Sequence, residues 1–151
     1  MKKILILTLA IGMVCALTGC KTEEDGPKNQ SATINNLFGK NISATVQGYL
    51  TDSEWKGVAG KIETALNNRY DAPIEQIVYI RENLLEPAFS QTGGVTIIVE
   101  KDPSYANYSA TYGGKIIHIN FAILNDAAAL DLALYQGTRV ISGNPIVPEQ
   151  G

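Results

Sequence analysis

The sequence predicts an α+β domain: a small mixed sheet packed against two or three helices. Three observations predict it. Apolar residues alternate along one segment and form a β-branched run in another, as strands with one or two buried faces do. Elsewhere they recur at three- and four-residue spacing behind helix-capping residues. The resulting order is strand, helix, helix, strand, strand, helix, which suits neither an all-β domain nor a strictly alternating one.

Each element has a local cause. Ile42, Ala44, Val46, Gly48 and Leu50 alternate with polar residues and predict a half-buried strand, which Gly48 weakens. Thr51 and Glu54 then form a capping box, with Trp55, Val58, Ile62, Ala65 and Leu66 behind it, predicting a helix from Asp52 to Asn67. Asp71-Ala72-Pro73 opens a second helical pattern carrying Ile74, Ile77, Val78, Leu84 and Leu85, ended by Pro87 and Gly93-Gly94. Val95 to Glu100 predicts a central strand that Asp102-Pro103 breaks. A loop through Tyr105, Tyr108 and Tyr112 leads to a Gly113-Gly114 turn. Lys115 to Phe121 predicts another strand, with Ile117, Ile119 and Phe121 on one face and Ile116, His118 and Asn120 on the other. Asn125 or Asp126 caps a last helix through Ile141, with Leu130, Ala133, Leu134, Gly137 and Ile141 as its buried stripe and Gly143-Asn144-Pro145 as its stop.

Composition excludes several functions. The 151 residues are 45% hydrophobic and 18% charged, with a net charge of −3. Mean hydropathy near zero (+0.01) excludes a bundle of membrane spans. An acidic pI of about 5.1 gives no general attraction to nucleic acid, whose binding rests on Lys and Arg neutralising phosphates.

The N-terminus reads as an address. Lys2 and Lys3 precede a nearly continuous apolar run, Ile4 to Leu17. As a helix this run spans about 21 Å, short of a hydrocarbon core of about 30 Å, so it fits a secretory signal better than a membrane span. Leu17-Thr18-Gly19-Cys20 follows and resembles the lipobox of bacterial lipoprotein precursors. The resemblance implies a signal peptide over 1–19, a diacylglycerol thioether on Cys20, cleavage before it, and acylation of the new amino group. Cleavage would remove Lys2, Lys3 and Cys15, take the side-chain charge from −3 to −5, and leave no thiol pair for a disulfide or a cysteine metal site. Residues 20–32 then read as the lipidated Cys and a flexible polar tether, and 33–151 as the domain. The expected membrane partner is the bilayer, through lipid alone. The implied location is the bacterial cell envelope. Lys21 is not the Asp that resembles an inner-membrane retention signal, which tilts the analogy towards the outer membrane.

The last strand and helix carry a second resemblance. Ile116 to Leu124 (IIHINFAIL), a polar link and an Ala-rich helix containing Leu134-Tyr135-Gln136-Gly137-Thr138-Arg139-Val140-Ile141 resemble the core of a zincin metallopeptidase. In that family an edge strand precedes a helix bearing H-E-x-x-H, whose two His bind zinc and whose Glu is general base. Tyr135 stands at the first His, Gln136 at the Glu and Arg139 at the second His. Arg offers no lone pair and brings a fixed charge, Gln cannot accept a proton as carboxylate does, and a phenol is a poor substitute for imidazole. His118, the one His, cannot complete a three-ligand site, and Asp126, Asp131 and Glu149 lack a His partner at ligand spacing. The resemblance therefore implies a degenerate zincin-like domain, shortened after the site helix, with no catalytic residues, metal or cofactor. Two alternatives stay open. Asp131, Tyr135 and Arg139, spaced by four, can instead form an exposed polar stripe matched to the helix dipole. A zinc-dependent metallopeptidase whose site lies elsewhere than this alignment puts it, or is completed by ligands from a partner chain, is the enzymatic alternative.

Weaker signals complete the reading. Ser-His-Asp catalysis would need His118 as base, and a lone strand His is more often a structural hydrogen-bonding residue. No G-x-S-x-G elbow is present. Tyr105, Tyr108 and Tyr112, within eight residues, are a candidate binding loop for an envelope protein or a glycan.

Overall fold

The computed structural model describes residues 26–67, 81–90 and 94–143. The expected signal peptide, Cys20, the first half of the second helix (Ile74, Ile77 and Val78), Gly93, Asn144-Pro145 and Glu149 lie outside them. The fold is α+β, as the sequence predicts: one mixed five-stranded sheet with helices against it.

The strands are β1 (Lys28–Ile34), β2 (Ala44–Leu50), β3 (Val95–Glu100), β4 (Tyr108–Ala110) and β5 (Ile116–Asn120). Their order across the sheet is β1-β2-β3-β5-β4. The pairs β2–β3 and β3–β5 are parallel, and the outer strands β1 and β4 are antiparallel to their neighbours. The helices are α1 (Asp52–Trp55), α2 (Val58–Asn67), α3 (Glu86–Phe89) and α4 (Ala127–Ile141). A single π-helical turn, Arg81–Leu85, leads into α3.

Five details depart from the sequence reading. β1 takes in Lys28 to Ala32, assigned above to the tether; they pair with β2 from Leu50 to Val46. The helix expected from Asp52 to Asn67 is broken at Lys56-Gly57, because Gly57 adopts φ 80°, a left-handed conformation that ends a helix readily. Pro87 does not end the second helical pattern; it sits in the first turn of α3, where its missing N–H has no partner to lose. The tyrosine loop contains β4, a three-residue edge strand. Phe121 leaves β5 and starts a 3-10 turn, Phe121–Ile123.

One sheet face carries the core. Val46, Ile97, Val99, Ile117 and Ile119 are fully buried beneath Ile62 and Leu66 of α2, Leu130 and Leu134 of α4, and Leu85 and Phe89. Burying each such side chain stabilises the fold by about 1.5–3 kcal/mol. Phe38 meets Phe89 edge-on with ring centroids 6.0 Å apart. α4 lies on β4 and β5, and α2 lies against α4 and β1. A Cβ on Gly137 would stand 2.7 Å from Cγ2 of Ile117, so glycine is what lets α4 approach β5 this closely.

The sheet edge at β1 is pinned by side chains. Lys28 Nζ lies 3.1 Å from Asp52 Oδ1. The Gln30 amide donates to Asp52 at 2.9 Å and to the Leu50 carbonyl at 3.2 Å. The Thr51 capping box forms as the sequence predicts: Glu54 N–H donates to Thr51 Oγ1 at 3.2 Å and Thr51 N–H donates to Glu54 Oε1 at 2.9 Å.

Glu54 also accepts a charge-assisted hydrogen bond from Lys101 at the end of β3. That bond, then the Thr51 N–H, holds the Glu54 carboxyl below its ordinary 4.5, and the same pair raises Lys101 above 10.5. A depressed carboxylate contributes stability that is complete above its unfolded pKa and is lost as pH falls through its folded one. Glu54→Gln should therefore lower the urea midpoint at pH 7, and the difference from wild type should vanish near pH 2. A difference that persists in acid would mean the pair does not govern it.

Candidate functional site

α4 is the helix that would bear a zincin site. Asp126 caps it, its carboxylate accepting from Ala129 N–H at 3.1 Å. Leu130, Ala133, Leu134, Gly137 and Ile141 are all buried, as the apolar spacing predicts. Two polar residues join them. Thr138 is fully buried and donates its hydroxyl to the Leu134 carbonyl at 2.7 Å. Asp131 is 4% exposed.

The burial of Asp131 corrects the exposed-stripe alternative: Asp131 is in the interior and Tyr135 and Arg139 are half-buried. Tyr135 and Arg139 do share one side of the helix. The Arg139 guanidinium donates to the Tyr135 hydroxyl at 2.9 Å, and its carbon lies 5.7 Å from the ring centroid. Where two His would converge on a cation, a fixed positive charge therefore meets a phenol, and Gln136 beside them has no basic oxygen. Among the described residues no group of three or more His, Cys, Asp and Glu could hold a metal ion.

The three tyrosines do not share a surface. Tyr108 lies in β4 opposite Ile119 and packs towards the core. Tyr112 is 75% exposed, and its ring covers Gly143 beyond α4, where a Cβ would collide with Cε1. Tyr105 is half-buried on the other side of the sheet and donates its hydroxyl to Glu100. Burial, reinforced by that carboxylate, holds its phenol well above the ordinary value of 10.0.

Tyr105 belongs to a polar cluster on the sheet face opposite the core. His118 Nδ1 lies 3.3 Å from Glu100 Oε1. Asn120 fixes the adjoining loop, donating to the carbonyls of Tyr105 at 3.2 Å and Ala106 at 2.9 Å and accepting from Ala122 N–H at 2.9 Å. Ser109 stands opposite His118 in the β4–β5 ladder. A hydroxyl, an imidazole and a carboxylate thus gather on one face. The His118 and Glu100 side chains are 34% and 40% exposed. Water screens such a cluster, and water exclusion is what gives preorganised groups their strength in hydrolytic catalysis. His118 thus has a carboxylate partner within the sheet, in a partly exposed setting. The cross-strand register that joins it to Glu100 and Ser109 is not legible in the sequence.

The same face holds a concavity of about 590 Å³ lined by residues of β1, β2 and β3, among them Asn29, Gln47, Tyr49, Ile98 and Glu100, and by Lys101. Sequence reasoning missed it because its wall is assembled from β1, β2 and β3, and β1 reads largely as tether. A second groove, about 640 Å³, runs between α2 and α4 past Gly57, Thr64, Ala65, Leu124 and Leu130. Among the described residues no helix is long and apolar enough to cross a membrane. Comparison of the chain with protein-family models, with characterised proteins and with solved structures gives no match.

Proposed function

We propose that this chain is a lipid-anchored protein of a bacterial cell envelope whose domain binds a partner and performs no hydrolysis. The observation that carries the reading is the run Leu17-Thr18-Gly19-Cys20 behind a basic start and an apolar stretch too short to span a bilayer. Its test is palmitate incorporation, which Cys20→Ala should abolish. The silence of the domain rests on α4, where Tyr135, Gln136 and Arg139 supply neither imidazole nor carboxylate at the three positions that zinc chemistry requires.

A zincin-like ancestry rests on the order strand, polar link, helix and on the residue-by-residue placement of Tyr135, Gln136 and Arg139. The strand that precedes α4 and carries the resemblance, β5, lies between β3 and β4 and is not at the edge; the edge strand β4 comes one strand earlier. The combined substitution Tyr135→His, Gln136→Glu and Arg139→His would place two imidazoles one helical turn apart with a carboxylate beside the first. We expect weak zinc affinity in calorimetry of the full chain in detergent, and no tightly bound zinc in the wild-type protein. No heat from the triple variant would remove the ancestry, and stoichiometric zinc in the wild type would overturn the non-catalytic reading.

A further inference from the structure

We propose that the groove between α2 and α4 holds one acyl chain of the lipid on Cys20 whenever the protein is away from a bilayer. This rests on the lipid anchor proposed above and adds to it a place in the domain where an acyl chain is kept from water.

Chain direction puts the groove beside the anchor. β1 begins at Lys28, opposite Leu50 at the end of β2. β2, β3 and β5 are parallel, so their carboxyl ends share that end of the sheet. α1 and α2 follow β2 there, and the wall from Leu124 to Leu130 follows β5. At the far end the Phe38 N–H donates to Asn67 Oδ1, at the close of α2, at 2.8 Å. α2 therefore runs the same way as β1. The groove wall from Gly57 to Ala65 lies towards the end where the chain enters the domain. Open α/β sheets ordinarily bind ligands outside the carboxyl ends of their strands.

Reach agrees with direction. Cys20 lies eight residues before Lys28, at most about 28 Å when extended. Lys28 is fastened to Asp52 at 3.1 Å. The Lys56 N–H donates to the Asp52 carbonyl at 3.2 Å, so α1 covers the way from Asp52 to Gly57 in a single turn. An occupant on so short a tether meets the groove at a high effective concentration, an advantage that no free ligand or second copy has.

Shape and chemistry fit a hydrocarbon tail. Gly57, Gly60, Ala65, Leu124, Ala127 and Leu130 supply apolar wall. The volume of about 640 Å³ falls within the roughly 300–1,000 Å³ of small-molecule sites. From Gly57 to Ala65 the α2 wall is about 12 Å long, which takes the end of one long acyl chain. Asp131 also lines the groove and is engaged within the protein. Lys61, Thr64 and Asn125 are exposed and stand at the rim, where they can donate to the ester or amide carbonyls of the linkage. Inside a bilayer the chain gains nothing by leaving lipid for a wall of the same polarity. In water the groove removes its methylenes from solvent. That difference confines the contact to protein outside a membrane.

The test uses the full chain made in a bacterium supplied with a palmitate analogue that bears a terminal diazirine. The protein is purified in detergent, freed of detergent by adsorption and irradiated. Mixing isotopically normal and heavy protein separates cross-links within a chain from those between chains. We expect the label to attach within its own chain to residues 57–65 or 124–131. A Cβ at Gly60 meets nothing within 4 Å, so Gly60→Trp fills the groove without disturbing the core. Ala127→Trp fills it from the opposite wall. Each should lower the cross-link yield fivefold or more with an unchanged thermal midpoint. Leu132→Trp, on the exposed side of α4, should not. Labelled protein without a cross-link to the groove, or a yield indifferent to both tryptophans, overturns the proposal and leaves the anchor standing. Groove cross-links found only between chains give the groove to a neighbour and overturn it too. A chain that takes up no label overturns the anchor and this proposal with it.

Discussion

Ile117→Ala will lower the stability of the domain by about 2–5 kcal/mol, the range for removing a buried aliphatic side chain from a core that cannot fully close around the gap. Ile117 is fully buried in β5, directly beneath Gly137 of α4. Gly137→Ala acts in the opposite sense, by crowding. The new methyl would stand 2.7 Å from Ile117 Cγ2. Overpacking costs about 1–3 kcal/mol, against about 1 kcal/mol gained because Ala favours the helix over Gly. The two substitutions touch the same volume and should not add. In the double variant the methyl that Gly137→Ala introduces enters space that Ile117→Ala vacates. The loss should then fall short of the sum by about 0.5–3 kcal/mol, the coupling range for contacting residues. Urea unfolding of the four proteins checks this cycle. Strict additivity would mean that α4 does not seat on β5 through this contact.

Cys20→Ala should abolish palmitate labelling and release the protein from the membrane fraction, whereas Cys15→Ala should change neither. Each buried methylene contributes about 0.8 kcal/mol, so several acyl chains anchor stably while a single chain binds only reversibly. The apolar run Ile4 to Leu17 cannot substitute, since about 21 Å of helix falls short of a hydrocarbon core. Label that persists in Cys20→Ala, or that is lost with another residue instead, would place the attachment elsewhere and overturn the lipoprotein reading.

Elements with a strong internal period were legible from residues alone. β3 spans the β-branched run Val95–Glu100, α4 runs from its Asp126 cap to Ile141, and the Thr51 capping box forms with both of its bonds. Elements defined by their neighbours were not. β1 is polar along most of its length, with only Ile34 fully buried, so its sequence looks like tether until β2 is beside it. β4 is three residues long, too short for an alternation to register. For the same reason the candidate site was half visible. That Tyr135, Gln136 and Arg139 offer neither imidazole nor carboxylate is a property of residue types and is legible in the sequence. The concavity at Gln47 and Tyr49 and the approach of Glu100 to His118 depend on cross-strand register, which no single segment encodes. The burial of Asp131 is likewise set by how α4 is rotated against its neighbours, since its spacing from Tyr135 and Arg139 suits a wet stripe equally well.

The place of β1 at the margin of the sheet has a mechanical consequence. Any tension arriving from the residues before Lys28 enters the domain through its outermost strand. Peeling would begin at the Lys28–Leu50 rung and travel towards Ile34–Ala44. The side chains of Lys28 and Gln30 are fastened to Asp52 at the leading end, and the apolar grip of Ile34 comes last. Such a pull would meet its first resistance at that polar clasp, well before it disturbed the packing beneath α4.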